Sequence, residues 1–155
     1  EFNKLIKKDK YQVFLFSSPI SLPLSIGLHY WFVINKKSKL NRWEVLYRKN
    51  MCPTSWSHLH KNFLPPTTGL EILHFDHKIH WKSKLVGFIK GGKGSAVEKM
   101  VNFIDKSPKN YPSCKKYALV PGPNSNTYVQ WVLNKFPQSK FKISWRAIGK
   151  NYKLN

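Results

Sequence analysis

The sequence predicts an α+β fold: a single domain over residues 1–155 with an antiparallel sheet packed with two main helices. Three observations carry that prediction. Residues 26–34 and 40–48 alternate their side chains with the period of two that a strand imposes. Two later stretches, opening at Ser95 and Asn124, place apolar residues at helical spacing behind a capping side chain. Neither a repeat nor a linker divides the chain.

In chain order, Tyr11 to Phe16 reads as a buried strand leading into a proline-bearing loop. The stretch KLIKKDKYQVFLFSSPISLPLSIG has the basic start and apolar run of a secretion signal. Pro19 and Pro23 interrupt it, and no small-x-small cleavage site follows, so strand and loop fit it better. From Ile26 to Ile34, Leu28, Tyr30, Phe32 and Ile34 share one face, and His29, Trp31 and Val33 share the other. After a turn at 35–38, Leu40 to Arg48 sets Trp43, Val45 and Tyr47 against Arg42, Glu44, Leu46 and Arg48. The two segments make a hairpin. Met51 to Thr68, with Pro53, Pro65 and Pro66, reads as a loop. Leu70 to Phe75 and Leu85 to Ile89 read as short strands.

The first helix is capped by Ser95, with Glu98 at capping-box distance. Val97, Met100, Val101 and Ile104 form its apolar stripe, and Pro108 stops it. Tyr117 to Val120 is expected as a strand. The second helix follows, with Val129, Val132, Leu133 and Phe136 on one face and Pro137 at its end. Phe141 to Ile148 is expected as a last strand. No run has the length of a membrane-spanning helix.

Composition limits what such a fold does. Hydrophobic residues make up 41% and aromatic residues 15%, too much apolar surface for a disordered chain. Twenty-seven Lys and Arg against seven Asp and Glu give a formal charge of +20. A long-range, salt-sensitive attraction to anionic polymers or membrane surfaces follows, unless the lysines are only a solvated coat. Three arginines, Arg42, Arg48 and Arg146, are too few for base-edge readout, so sequence-specific nucleic-acid binding is not expected. Cys52 and Cys114 allow one disulfide or two free thiols, and their spacing disfavours zinc. A bridge would indicate an oxidising compartment. His74, His77 and His80 around Asp76 would point in different directions on a strand and turn, so no metal site is expected.

The most informative stretch is PNSNTYVQW, residues 123–131. Pro121-Gly122-Pro123 makes a rigid turn, Asn124 is the natural N-cap, and Ser125 and Asn126 enter the first helical turn. Free backbone N–H groups and the positive end of the helix lie there. A cap alone accounts for one polar residue, and four in succession exceed that need. Ser125 is therefore a candidate nucleophile. His29 is the candidate base, and Glu44 can orient its ring if the hairpin register puts them on one face. Donors near Asn126 and Thr127 would serve an oxyanion, with Asn124, Trp31 and Arg42 as further binding residues.

LHYWFVI, NRWEV, VPGPNSNTYVQWV and AIGKNY, in that order, resemble a bacterial family designated domain of unknown function 3750, over roughly residues 12 to 152. PGPNSNT is the specific part of that likeness. The family implies no activity. A more distant resemblance is to circularly permuted NlpC/P60-like thiol hydrolases of papain-like arrangement, in which an Asn-Cys pair opens the late helix. It implies Ser125 at the cysteine position and His29 at the base position. A serine hydroxyl is far less ionised than a thiol, so it demands stronger base assistance.

The expectation is an extracytoplasmic, secreted or periplasmic hydrolase of an amide or ester, acting on cell-envelope or lipid substrates through Ser125 and His29. The alternative is a catalytically inactive basic protein that binds anionic lipid headgroups, lipopolysaccharide, cell wall or other polyanions. A nucleic-acid-binding module is a third class. A monomer without cofactor or metal is expected.

Overall fold

The computed structural model describes residues 1–155. Its centre is formed by strands β1 (Tyr11–Pro19) and β2 (Leu28–Lys36), antiparallel along nine residue pairs. Strand β3 (Lys39–Val45) continues the hairpin, with Phe32 opposite Trp43 and Val33 opposite Arg42. Lys37 and Ser38 both take positive φ, the backbone of the tight turn that matches strand twist. Asn35 fixes that turn by accepting the Ser38 N–H at 2.8 Å.

Two very short strands, β4 (Ser55–Trp56) and β5 (Leu59–Lys61), extend the sheet beyond β3. Strands β6 (Thr68–Glu71) and β7 (His80–Lys82) form a separate two-stranded sheet. Strand β8 (Lys84–Gly91) returns to pair with β1, so the main sheet runs β4-β5-β3-β2-β1-β8, antiparallel throughout. Three helices follow: α1 (Ala96–Asp105), the single-turn α2 (Ser107–Asn110) and α3 (Ser125–Lys135).

Both faces of the central strands are covered, which explains their nearly continuous apolar composition. Val13, Leu15, Phe32, Ile34 and Trp43 meet Met100 and Ile104 of α1 and Tyr128 and Val132 of α3 in the principal core. On the opposite face, Phe14, Phe16, Trp31 and Val33 form a smaller cluster, flanked by Phe2 and Leu5. The segment from Pro65 to Thr68 lies over that second face. Trp31 Nε1 donates to Pro66 O at 2.9 Å, and Arg42 Nη1 donates to Pro65 O at 2.8 Å.

The α+β class, the hairpin, β8 and both main helices match the sequence reading. Several elements differ. The expected loop at 51–68 contains β4 and β5, which at two and three residues are too short to display a period. β7 escaped notice for the same reason. Residues 117–120 are not a strand. Ala118 N–H bonds back to Pro123 O, and Pro121 and Pro123 have no N–H to continue a ladder. Residues 141–148 curl through turns, with Ala147 N–H on Ser144 O. Pro108 does not merely end α1: it sits in the first turn of α2, where a missing N–H costs nothing. Ser95 caps α1 as expected, but the Glu98 carboxylate accepts from Gly94 N–H, one residue before the capping-box donor. Cys52 and Cys114 are separate free thiols, so the disulfide alternative is not realised.

Candidate active site

The β2–β3 register carries the first part of the site. Because Val33 stands opposite Arg42, the residues His29, Trp31, Arg42 and Glu44 all project from one face. His29 Nε2 lies 2.9 Å from Glu44 Oε2, and Arg42 Nη2 donates to the same oxygen at 2.7 Å. All three side chains are buried. The Arg42 guanidinium also stacks over the Trp31 ring, 4.1 Å from its centroid.

Charge then sets the proton positions. Burial opposes ionisation of Glu44, but the adjacent Arg42 charge and the bond from His29 outweigh it and bring its pKa down to about 2. Burial pushes His29 below its ordinary value, against the smaller pull of Glu44, so the ring is neutral near pH 7. An ionised carboxylate only accepts, so the ring proton sits on Nε2. Nδ1 is left with a lone pair and no hydrogen-bond partner. This is the state a general base requires.

Helix α3 carries the second part. Asn124 Oδ1 accepts from Asn126 N–H at 2.9 Å and from Thr127 N–H at 3.3 Å. Thr127 Oγ1 accepts in return from Asn124 N–H at 3.0 Å, completing a capping box. Asn126 Nδ2 donates to Leu28 O at 2.8 Å and to Ile148 O at 2.9 Å. Asn126 follows Ser125 and Leu28 precedes His29, so this clamp ties the helix start to the first residue of β2, next to His29. Ser125 and His29 line one cleft of about 580 Å3. The Ser125 hydroxyl has no hydrogen-bond partner, and no bond joins it to His29. Its backbone N–H, unlike those of Asn126 and Thr127, is also left without a partner at the positive end of the helix.

A family model described as protein of unknown function (DUF3750) matches residues 10–152. The chain belongs to this family. No curated protein and no solved structure matches it.

In this DUF3750 chain the PGPNSNT segment divides its work between support and exposure. Asn124, Asn126 and Thr127 use their side chains for capping and clamping, whereas both the hydroxyl and the N–H of Ser125 are left without a partner. The expected oxyanion donors near Asn126 and Thr127 are therefore taken by Asn124, because a single carboxamide oxygen satisfies both N–H groups. The Ser125 N–H remains for that role. Asn126 Oδ1 is buried without a partner.

Trp31 and Arg42, expected among the binding residues, are fully buried and do not line the cleft. They hold Glu44 and the overlying segment. The IGK segment supports the cap: Gly149 takes φ +88, Thr127 Oγ1 donates to its carbonyl at 2.7 Å, and the Asn124 carboxamide occupies the space a Cβ would need. His74 packs against Tyr47, His77 lies against Arg48, and His80 lies 3.1 Å from both the Gly69 and the His77 carbonyl oxygens, while no group of three His, Cys, Asp or Glu side chains is placed to hold a metal ion.

The sequence reading missed two features. One is the apolar wall of the cleft, contributed by Leu28, Val45, Phe63, Leu70, Leu119 and Ile148. These residues come from six separate segments, so no local pattern could join them. The other is Ser55 Oγ at 2.7 Å from His60 Nδ1, with His60 Nε2 on Arg48 O at 2.8 Å. That pair stitches β4 to β5 and does not line the cleft.

Proposed function

We propose that the protein hydrolyses an ester or amide bond, with Ser125 as nucleophile, His29 as general base and Glu44 as the group that orients the base. One observation carries this reading: a neutral histidine with a free Nδ1 and a serine with a free hydroxyl line the same cleft. The Ser125 proton would pass to His29 Nδ1 as Oγ attacks the acyl carbon. The resulting oxyanion would meet the Ser125 N–H, and the imidazolium would protonate the leaving alcohol or amine. Water, activated by the same histidine, would then release the acid. Glu44 stabilises the imidazolium throughout. The reading requires Ser125 Oγ to come within reach of His29 Nδ1 when substrate is bound, as catalytic contacts commonly tighten at that stage.

The chain order of an early-strand histidine and a helix-opening nucleophile supports the distant likeness to circularly permuted NlpC/P60-like hydrolases. It belongs to this proposal, as does a setting outside the cytoplasm. With free thiols, that setting is supported by the +20 charge alone. The rival reading, a non-catalytic binder of headgroups or polyanions, draws on the same charge but gains nothing from the cleft, whose walls contain no lysine.

A fluorophosphonate probe and p-nitrophenyl acyl esters test the proposal. Labelling at Ser125 that is lost in Ser125→Ala, with turnover lower by about a hundredfold or more, is expected. Labelling that survives Ser125→Ala and vanishes in Ser55→Ala would move the chemistry to the Ser55–His60 pair. No labelling at either position, with salt-dependent polyanion binding intact, would favour the binder.

A further inference from the structure

A chain with 27 lysines and arginines places one of them, Arg48, in the lining of the cleft. Arg48 is already engaged by Glu71 at 3.4 Å and by His74 O at 3.1 Å. The remaining walls are predominantly apolar, and the volume of about 580 Å3 lies within the range of small-molecule sites. An apolar segment of a ligand fits this lining. A phosphate or sugar would find few partners in it.

The mouth is apolar as well. Two loops form part of its rim, residues 20–27 between β1 and β2 and residues 72–79 between β6 and β7. They are held together by Leu22 N–H on Ile72 O at 2.9 Å and by Ser21 Oγ on Glu71 O at 2.7 Å. Both loops turn large hydrophobic side chains outward: Leu22, Leu24 and Ile26 from the first, Leu73, Phe75 and Ile79 from the second. Ile26 is 67% exposed and Phe75 is 90% exposed. Scattered exposed apolar residues are ordinary, but six on two joined loops beside an apolar cleft mark a surface that leaves water.

Charge identifies what receives that surface. Exposed lysines adjoin lining residues in the chain, Lys49 after Arg48 and Lys115 and Lys116 before Tyr117, and exposed Lys78 lies on the 72–79 loop itself. Of the nearby carboxylates, Glu71 is paired with Arg48 at 3.4 Å, and Asp76 accepts from Lys78 N–H. Apolar side chains at the tip and cations around them are the combination that anchors a protein at an anionic lipid surface. We infer that the 20–27 and 72–79 loops dock on an anionic bilayer and that the cleft takes one acyl chain from that surface. This inference goes beyond hydrolysis and holds whether or not Ser125 reacts.

Co-sedimentation of the full chain with phosphatidylglycerol-containing vesicles and with pure phosphatidylcholine vesicles tests the docking. Strong preference for the anionic vesicles at moderate salt is expected. Replacing Leu24→Ser, Ile26→Ser and Phe75→Ser together should weaken binding by about tenfold or more, while Ser125→Ala retains it. The three residues are exposed, and circular dichroism would verify that the variant is folded. The cleft is tested with cis-parinaric acid, whose fluorescence should rise with the wild type and fall in Leu119→Trp or Leu46→Trp. Vesicle binding that follows salt alone and ignores the loop variant would overturn docking by the loops. Duplex DNA that competes fully with the vesicles and ignores the same variant would assign the lysines to nucleic acid. Parinaric acid binding unaffected by both tryptophan variants would overturn the acyl site.

Discussion

Arg42, Glu44 and His29 show how a buried charge becomes useful at the scale of single residues. Glu44 would be expensive to bury alone, and Arg42 and His29 offset that cost through one carboxylate oxygen. Removing the carboxylate leaves Arg42 buried and unpaired, so Glu44→Ala should destabilise the fold by about 3–5 kcal/mol in urea titration. Glu44→Gln keeps the shape but not the charge that fixes the His29 tautomer. Under the hydrolase reading its turnover should fall by about a thousandfold or more, with KM little changed. The pH profile has a definite sign. Under the same reading the neutral His29 would be the active form, and burial lowers its pKa, so kcat/KM should rise with pH through a midpoint below 6.5 and be level near neutrality.

At the scale of elements, the start of α3 is held by the cap and by the IGK turn together. Asn124→Ala should cost about 1–2 kcal/mol in thermal melts, because two first-turn N–H groups lose their acceptor. Gly149→Ala should cost at least as much, since a Cβ there meets the Asn124 carboxamide and an L-residue resists φ +88. Under the hydrolase reading both variants should also lower turnover, because they displace Ser125 without touching it. A melt unchanged in Gly149→Ala would show that the turn and the cap are not coupled. The β2–β3 register belongs to this scale as well. A slip of one residue would send Glu44 to the opposite face and leave His29 without a partner.

For the whole molecule, +20 on 155 residues means lasting self-repulsion. Added salt screens it, so the melting temperature should rise between about 0.02 and 0.5 M sodium chloride. Acid acts in the opposite direction. Glu44 stabilises the fold fully above its ordinary 4.5, and that contribution, about 3 kcal/mol, is lost as pH falls towards 2. His29 adds to the same trend, because below 6.5 the unfolded chain binds a proton that the folded one resists. Unfolding free energy measured from pH 7 to pH 3 should therefore fall, and the slope should flatten in a His29→Gln, Glu44→Gln double variant.

The sequence by itself determined the period-two strands, the capped helices, the class of fold and the position of Ser125 in the first turn of α3. Those features depend on neighbours within a few residues, where steric and capping preferences act directly. It also contained His29 and Glu44, but not their meeting: only pairing of β2 with β3 in one register put both on the same face. The clamp from Asn126 to Leu28 spans 98 positions, and the cleft walls come from segments that folding alone brings together. The two-residue and three-residue strands are too short to display a period, and β5 and β7 exist only through their pairing with β3 and β6. Tertiary structure was needed because a cleft is a property of surfaces that meet, and a chain read in order has no record of which surfaces those are.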